Sequence, residues 1–160
     1  KTINKNHKPF KMKRSIKTVA VIGSGIMGSG IACHFANIGV EVLLLDIIPN
    51  ELTEAEAKKG LTLESKIVRN RLVNEHFQNA LKSKPSPIYH PKFASRITTG
   101  NTTDDMEKIA AVDWIIEVVV ERLDIKKMVF EQIEKFRKRF RVIDTWTSTD
   151  HNRIIFRAVT

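Results

Sequence analysis

A glycine-rich turn near the start of the chain joins a short apolar run to a helical pattern. Residues 17–22 (KTVAVI) are dense in β-branched side chains, which favours a short buried strand. Residues 23–28 (GSGIMG) follow directly, and apolar side chains then recur at helical spacing as far as Ala36. A strand, a G-x-G-x-x-G turn and a helix in this order are typical of a dinucleotide-binding α/β unit. No other feature limits the possible folds of the chain as strongly.

Each glycine of the turn has its own expected role. Gly23 permits the tight turn out of the strand, Gly25 lets a pyrophosphate approach the backbone, and Gly28 lets the helix lie close to the sheet. The free N–H groups and the positive end of the helix would receive the phosphates. The alternative is that these glycines serve only turn geometry and packing.

A single acid follows the second apolar run of the sequence. Residues 40–45 are predicted to form a second buried strand that ends at Asp46, which lies 18 residues beyond Gly28. This is close to the spacing of about 20 residues at which an acid binds the adenosine ribose. Its carboxylate would repel a 2′-phosphate, and Ile47 and Ile48 offer no guanidinium to bind one. We therefore expect NAD(H) rather than NADP(H), with FAD as an alternative that shares the spacing.

Strand and helix patterns alternate through the rest of the sequence. Residues 50–83 have apolar side chains at helical spacing, with Gly60 as a weak point, and stop before Pro85. Hydrophobic strands that alternate with helices predict an α/β fold, a Rossmann-type doubly wound parallel sheet, with residues 50–83 as a long helical projection. Further strands are predicted at residues 97–99, 113–120 and 142–145. Asp104 is predicted to cap a short helix that runs to Ala110, and another helix is predicted from Asp124 to Phe136.

The net charge of +9 is concentrated at the two ends of the chain. Residues 1–17 carry +7 and residues 135–160 carry +5, whereas residues 18–134 carry −3. Nucleic-acid binding requires a basic face on the fold itself. We therefore expect no nucleic-acid partner and interpret the ends as solvating tails.

Cysteine content and hydropathy exclude several other classes of protein. The single cysteine, Cys33, rules out a disulfide framework and a cysteine-based zinc site, and we expect it to be a buried, reduced thiol. No apolar run approaches the roughly 18 residues that a membrane span needs. We expect no metal, and a location in the cytoplasm or alternatively in the mitochondrial matrix.

Three segments of the sequence resemble the NAD-binding domain of L-3-hydroxyacyl-CoA dehydrogenases. They are residues 21–32 (VIGSGIMGSGIA), residues 44–46 (LLD) and residues 117–126 (EVVVERLDIK). The resemblance covers about residues 13–138. Enzymes of this family oxidise the 3-hydroxyl group of a hydroxyacyl-CoA in fatty-acid β-oxidation, or catalyse the reverse reduction. The resemblance therefore implies NAD as cofactor and an acyl-CoA as substrate.

The resemblance also implies roles for residues at matching positions. Asp46 would hold the ribose, Glu121 would contact the nicotinamide side, and Lys126 would also touch the cofactor. The alternatives are a solvated acid for Glu121 and a surface lysine for Lys126, and Glu117 matches a family glutamate without an assigned role. Residues 50–83 match a helical region that helps to hold CoA. The pyrophosphate would be wrapped by Gly23, Ser24, Gly25, Ile26, Met27 and Gly28.

The resemblance weakens after Lys138. The family has a Pro-Gly turn, a strand and then Asn-Thr-Ser, whereas this chain has Trp146-Thr147-Ser148. Ser148 would match a serine that contacts cofactor and substrate. We expect residues 1–15 to be a basic tail, residues 16–138 the NAD-binding domain, and residues 139–160 a divergent or frame-disrupted segment.

The catalytic part of the family has no counterpart in this sequence. The family's general base is a histidine in a His-Phe-Phe-Asn-Pro segment, oriented by a downstream glutamate, and these 160 residues contain no such segment. His151 has the wrong neighbours, and the other histidines are isolated in the sequence: His7, His34, His76 and His90. The helical domain that usually supplies the dimer interface has no counterpart either. We expect an NAD-binding portion that is inactive alone, or alternatively a noncatalytic dinucleotide-binding or interaction module.

Overall fold

The described part of the chain forms a twisted parallel sheet covered by helices on both faces. The structure, a computed structural model, describes residues 15–120, residues 122–137 and the backbone of residues 142–145. The strands lie side by side in the order β3-β2-β1-β4-β5, and every neighbouring pair is parallel. The predicted doubly wound parallel sheet is confirmed, including its fifth strand. The strands are β1 (Thr18–Ile22), β2 (Glu41–Asp46), β3 (Ile97–Asn101), β4 (Trp114–Glu117) and β5 (Val142–Thr145).

The register of the strands brings three loop starts to one edge of the sheet. Ile22, the last residue of β1, lies opposite Leu45 of β2 and Glu117 of β4. Because parallel strands end at the same edge, the turns that follow β1, β2 and β4 begin side by side. Ligands of open α/β sheets bind at this carboxyl edge.

Helices cover the two faces of the sheet in two separate hydrophobic layers. One layer packs α1 and α4 against the sheet, with Cys33 and Phe77 among its buried residues. The other packs α5 and a short 3₁₀ helix against the opposite face, with Ile109 and Ile133 fully buried. The helices are α1 (Ile26–Asn37), α2 (Glu54–Lys58), α3 (Lys66–Arg69), α4 (Arg71–Lys82) and α5 (Leu123–Phe136), with 3₁₀ helices at Pro91–Arg96 and Met106–Ala111.

The predicted long helical projection is wrong, because residues 50–83 form three separate helices. Gly60 has a φ of +70°, which places it in the left-handed region and ends the helical path after α2. Asn70 interrupts the path again between α3 and α4. Val73 and Phe77 of α4 are buried in the core, so this helix belongs to the layer that covers the sheet.

Two local predictions also need correction. Asp104 does not cap a helix: the helix that follows is a 3₁₀ helix at Met106–Ala111, and Asp104 instead accepts hydrogen bonds from Arg69. Strand β4 ends at Glu117 rather than at Val120, and the N–H of Val118 makes a last hydrogen bond to the carbonyl oxygen of Ile22 at 2.8 Å. Residues 118–120 therefore lie at the carboxyl edge.

Candidate functional site

The glycine turn is held tightly between the ends of β2 and β4. The N–H of Gly23 donates to the carbonyl oxygen of Leu45 at 2.8 Å. Gly23 has a φ of +103°, and a Cβ added there would lie 2.6 Å from the carbonyl oxygen of Val118. A larger residue would therefore be strained in its backbone and would collide with the neighbouring strand end.

The other two glycines of the motif meet opposite surroundings. A Cβ on Gly28 would lie only 1.8 Å from the carbonyl oxygen of Gly23, because the first turn of α1 rests directly on the glycine turn. Gly25 is exposed and a Cβ there would have no neighbour within 4 Å. The packing role expected for Gly28 thus has a direct geometric cause, and the space beside Gly25 is open to a ligand.

The N-terminus of α1 is suited to an anion. Gly25 is its N-cap, and the helix has neither a side-chain hydrogen bond at that cap nor an acidic residue in its first turn. The first N–H groups of a helix point out of its end and carry a partial positive charge. A diphosphate placed beside Gly25 would meet these N–H groups without displacing a side chain.

Asp46 lies against this turn. Its Oδ2 accepts hydrogen bonds from the N–H of Ser24, at 2.9 Å, and from the Ser24 hydroxyl. Its Oδ1 accepts from the N–H of Ile47 at 2.7 Å. A carboxylate has about four acceptor positions, so Oδ1 keeps capacity for one hydroxyl group. The carboxylate is therefore held in one orientation beside the uncapped N-terminus of α1.

His76 of α4 also belongs to this cluster, although sequence reasoning treated it as isolated. Its Nδ1 lies 2.8 Å from the Ser24 Oγ and 3.5 Å from the Asp46 Oδ2. The only signal in the sequence was helical spacing, since His76 directly precedes Phe77, which packs on the sheet. Spacing alone did not indicate which residue the ring would meet.

Several large apolar side chains near the site face solvent. Ile26 is 99% exposed in the first turn of α1, and Met27 beside it is about half exposed. Ile47 follows β2 and Val120 lies beyond β4, and both are exposed. These side chains follow the carboxyl ends of β1, β2 and β4, where flat rings of a dinucleotide would cover them.

Lys126, which the resemblance assigns to the cofactor, is paired inside the protein. Its Nζ lies 3.1 Å from the Oε2 of Glu117, and the two side chains are 5% and 0% exposed. The Glu117 Oε1 also accepts a hydrogen bond from the N–H of Val119 at 2.6 Å. The pair fastens α5 to the end of β4 and gives Glu117 a partner that the sequence did not suggest.

The remaining predicted site residues are Glu121 and Ser148; the remaining histidines were not predicted to belong to the site. Glu121 and Ser148 lie outside the described residues, as do His7 and His151. His90 caps a 3₁₀ helix by accepting a hydrogen bond from the N–H of Lys92. In the described ranges, no three His, Cys, Asp or Glu side chains come together as metal ligands would. None of the described helices has the length and apolar content of a membrane crossing.

Comparison with known proteins places these features in a family. The sequence model for the NAD-binding domain of 3-hydroxyacyl-CoA dehydrogenase matches residues 18–159. A probable 3-hydroxyacyl-CoA dehydrogenase of Bacillus subtilis (strain 168) is 52% identical over 137 residues, which are 86% of this chain and 17% of that protein. A probable 3-hydroxyacyl-CoA dehydrogenase of Deinococcus radiodurans is 38% identical over 133 residues, or 83% of this chain and 34% of that protein.

Solved structures of related enzymes share the fold. The 3-hydroxybutyryl-CoA dehydrogenase of Escherichia coli K12 superimposes with a TM-score of 0.54 at 29% identity, over 85% of this chain and 25% of that one. The (S)-3-hydroxybutyryl-CoA dehydrogenase PaaH1 of Ralstonia eutropha gives a TM-score of 0.54 at 25% identity, over 84% and 42%. The chain spans only about a sixth to a third of the length of the two curated relatives.

Proposed function

Because the chain belongs to the 3-hydroxyacyl-CoA dehydrogenase family and matches its NAD-binding domain, we propose that it is the cofactor-binding part of an enzyme that oxidises 3-hydroxyacyl-CoA to 3-oxoacyl-CoA. The observation that carries this proposal is the fixed Asp46 carboxylate beside an open, uncapped helix N-terminus. Together they offer the two groups that a dinucleotide needs, namely donors for its diphosphate and an acceptor for its ribose.

In this proposal, different residues bind different parts of NAD. The first turn of α1 receives the diphosphate beside Gly25, and the remaining acceptor position on the Oδ1 of Asp46 accepts a hydrogen bond from one ribose hydroxyl. Exposed Ile26 and Ile47 lie where apolar cover for the rings is needed. Bound NAD would supply the hydride acceptor. Lys126 and Glu121 complete the proposed cofactor set, and Ser148 is proposed to contact both cofactor and substrate.

Titration of the pure chain with NADH, followed by the fluorescence of the reduced cofactor, tests this site. We expect Asp46→Ala to weaken binding about 10- to 100-fold, because hydrogen bonds to a charged group are lost. Gly25→Val should weaken it similarly by filling the open space beside the diphosphate. Glu41→Ala, at the exposed opposite end of β2, is the matched control and should bind like the wild type. Equal NADH affinity in all four proteins would contradict the proposal.

Turnover requires groups that we do not assign to this chain. A general base with a pKa near neutrality must take the hydroxyl proton as hydride leaves the carbon. The family's histidine segment is not among these 160 residues, so we expect NADH binding without reduction of acetoacetyl-CoA. Steady NADH consumption by the pure chain would contradict this expectation. Restored turnover on adding a separate helical catalytic domain would support it and disfavour a noncatalytic module.

We further propose an acyl-CoA as the small-molecule substrate, with no nucleic-acid partner. Residues 18–134, which contain most of the fold, carry a net charge of −3. This composition does not favour the basic face that nucleic-acid binding requires. The cytoplasm is the proposed location, with the mitochondrial matrix as the alternative.

A further inference from the structure

The hydroxyl of Ser24 stands between two partners of unlike chemistry. Ser24 is fully buried, and its Oγ contacts both the Asp46 carboxylate and the His76 ring. A hydroxyl has one hydrogen to donate and can also accept, whereas an ionised carboxylate only accepts. The Ser24 hydrogen must therefore go to the Asp46 Oδ2. The Ser24 oxygen can then only accept from the His76 Nδ1, which must carry a hydrogen.

This chain of hydrogen bonds has a rigid support. Val73 and Phe77 lie one helical turn apart on α4, on either side of His76 in sequence, and both are buried in the core. The Thr99 hydroxyl of β3 donates to the Asn74 Oδ1 of α4 at 2.8 Å, which ties the helix to the sheet. The ring is thus placed by a packed element, and a group held in this way can fix the orientation of its neighbours.

The free side of the ring faces open space beside the glycine turn. The His76 side chain is 41% exposed, and no described residue hydrogen-bonds to its Nε2. His76 and Ile26 line the same cavity of about 500 Å³, between α1 and α4. The contact with Ser24 is therefore made by a ring that also lines a cavity next to the site.

We propose that His76 is a positioning residue for cofactor selection: through the Ser24 hydroxyl it holds the Asp46 carboxylate in the orientation that binds a ribose 2′-hydroxyl and rejects a 2′-phosphate. This inference rests on the proposed NAD site and adds a specific residue to it. Without the donor on the ring, the Ser24 hydroxyl is free to turn, and the carboxylate loses one of its three fixed contacts from Ser24 and Ile47. A carboxylate that is free to change its orientation binds the ribose 2′-hydroxyl less well and repels a 2′-phosphate less strongly.

Three variants on α4 test the proposal, with NADH and NADPH titrated separately into each. His76→Ala should weaken NADH binding about 3- to 10-fold and leave NADPH binding unchanged or up to about twofold tighter, so that selectivity falls. His76→Asn places an amide N–H near the position of Nδ1 and should restore most of the selectivity. Asn79→Ala, which alters the same cavity wall away from the hydrogen bonds, should match the wild type for both nucleotides.

A double-mutant cycle with Ser24→Ala shows whether His76 acts through the hydroxyl. If it does, the protein with both Ser24→Ala and His76→Ala should bind NADH no more weakly than Ser24→Ala alone. If the losses of NADH affinity in the two single variants multiply in the double variant, the proposed relay is overturned. If His76→Ala weakens the binding of NADH and NADPH equally and also lowers the melting temperature, His76 has only a structural role and the proposal is overturned too.

The failure of this inference can be distinguished from the failure of the proposed function. If Asp46→Ala weakens NADH binding and His76→Ala leaves both nucleotides unchanged, the NAD site stands and the role of His76 is refuted. If the wild-type chain does not bind NADH at all, both proposals fall together.

Discussion

At position 28, a single methyl group decides whether the first helix can begin where it does. The G-x-G-x-x-G motif predicts three glycines, but it does not indicate which of them the fold needs and which of them the ligand needs. The structure separates them, because an added Cβ at Gly28 meets the backbone of Gly23, whereas an added Cβ at Gly25 or Gly30 meets nothing within 4 Å. Gly25 is therefore available to a cofactor, and Gly28 is required by packing.

Two substitutions within α1 should have opposite effects on stability. Gly28→Ala forces the helix away from the glycine turn and should destabilise the protein by about 3 kcal/mol or more. Gly30→Ala removes a helix-interior glycine where space is available and should stabilise it by up to about 1 kcal/mol. Urea unfolding of both variants measures the difference. Similar free energies of unfolding would show that the contact with Gly23 does not constrain the helix.

At the scale of elements, α5 is fastened to the sheet by an ion pair that water does not reach. The Lys126 ammonium and the Glu117 carboxylate form a hydrogen-bonded pair beneath the carboxyl edge. Replacing such a pair as a unit costs little, whereas removing one member leaves an unpaired buried charge. The effect of replacing one or both members on stability therefore tests a packing role for Lys126. The effect on NADH affinity tests the cofactor contact that the family resemblance implies.

We expect Lys126→Met to destabilise the protein by about 3–5 kcal/mol, because the Glu117 carboxylate is left alone. Adding Glu117→Gln should recover a large part of this loss, since the amide oxygen still accepts from Val119. Lys127→Met, at the exposed neighbouring position, is the control and should change stability by less than about 0.5 kcal/mol. The double variant also reports on NADH: normal affinity there would argue against a cofactor role for Lys126.

A second link joins α3 to the end of β3. The Arg69 guanidinium donates to both oxygens of Asp104, at 2.7 and 2.6 Å, and the Asn101 side-chain amide donates at 2.9 Å. These hydrogen bonds, led by that of Arg69, lower the pKa of Asp104 from 3.8 to about 2. A carboxyl group whose pKa is lowered by folding stabilises the folded state above its ordinary pKa and loses this effect as pH falls.

The melting temperature of Asp104→Asn should therefore differ from that of the wild type in a pH-dependent way. We expect the difference in melting temperature to be largest above about pH 4 and to disappear between pH 4 and 2, because Asp104 becomes protonated in the wild type over this range. Thermal unfolding across this range measures this difference. Glu107→Gln, at an exposed acid of the next 3₁₀ helix, provides the comparison. A constant difference from pH 6 to 2 would contradict the role of ionised Asp104.

For the whole molecule, sequence patterns predict the sheet well and the helical connections poorly. Strands β1, β2 and β5 lie within a residue of their predicted bounds. For β1 and β2 the reason is that a nearly uninterrupted apolar run between turns has few alternatives to a buried strand. Residues 50–83 failed as a prediction because helical spacing continues across breaks that tertiary contacts create. Asn70, for example, accepts a hydrogen bond from the Asn101 amide at 2.8 Å.

The candidate site divides in the same way. The glycines and Asp46 belong to one β-α-β unit, and their positions could be predicted from their spacing in the sequence. His76 and the Lys126–Glu117 pair depend on where α4 and α5 cross the sheet, and no local pattern specifies that. Residue spacing therefore locates groups within a supersecondary unit, and contacts between units require the structure.

The central position of β1 has a consequence for how the chain is made. β1 leaves the ribosome first among the strands that the structure describes, yet one of its edges pairs with β4, which starts only at Trp114. Until residues 114–117 emerge, the backbone N–H and C=O groups on this edge of β1 have no partner strand in the nascent chain, and such edges can pair with other polypeptides. While the residues between Ile22 and Trp114 are being translated, we therefore expect a chaperone to be able to bind this edge of β1. This opportunity ends when β4 pairs with β1.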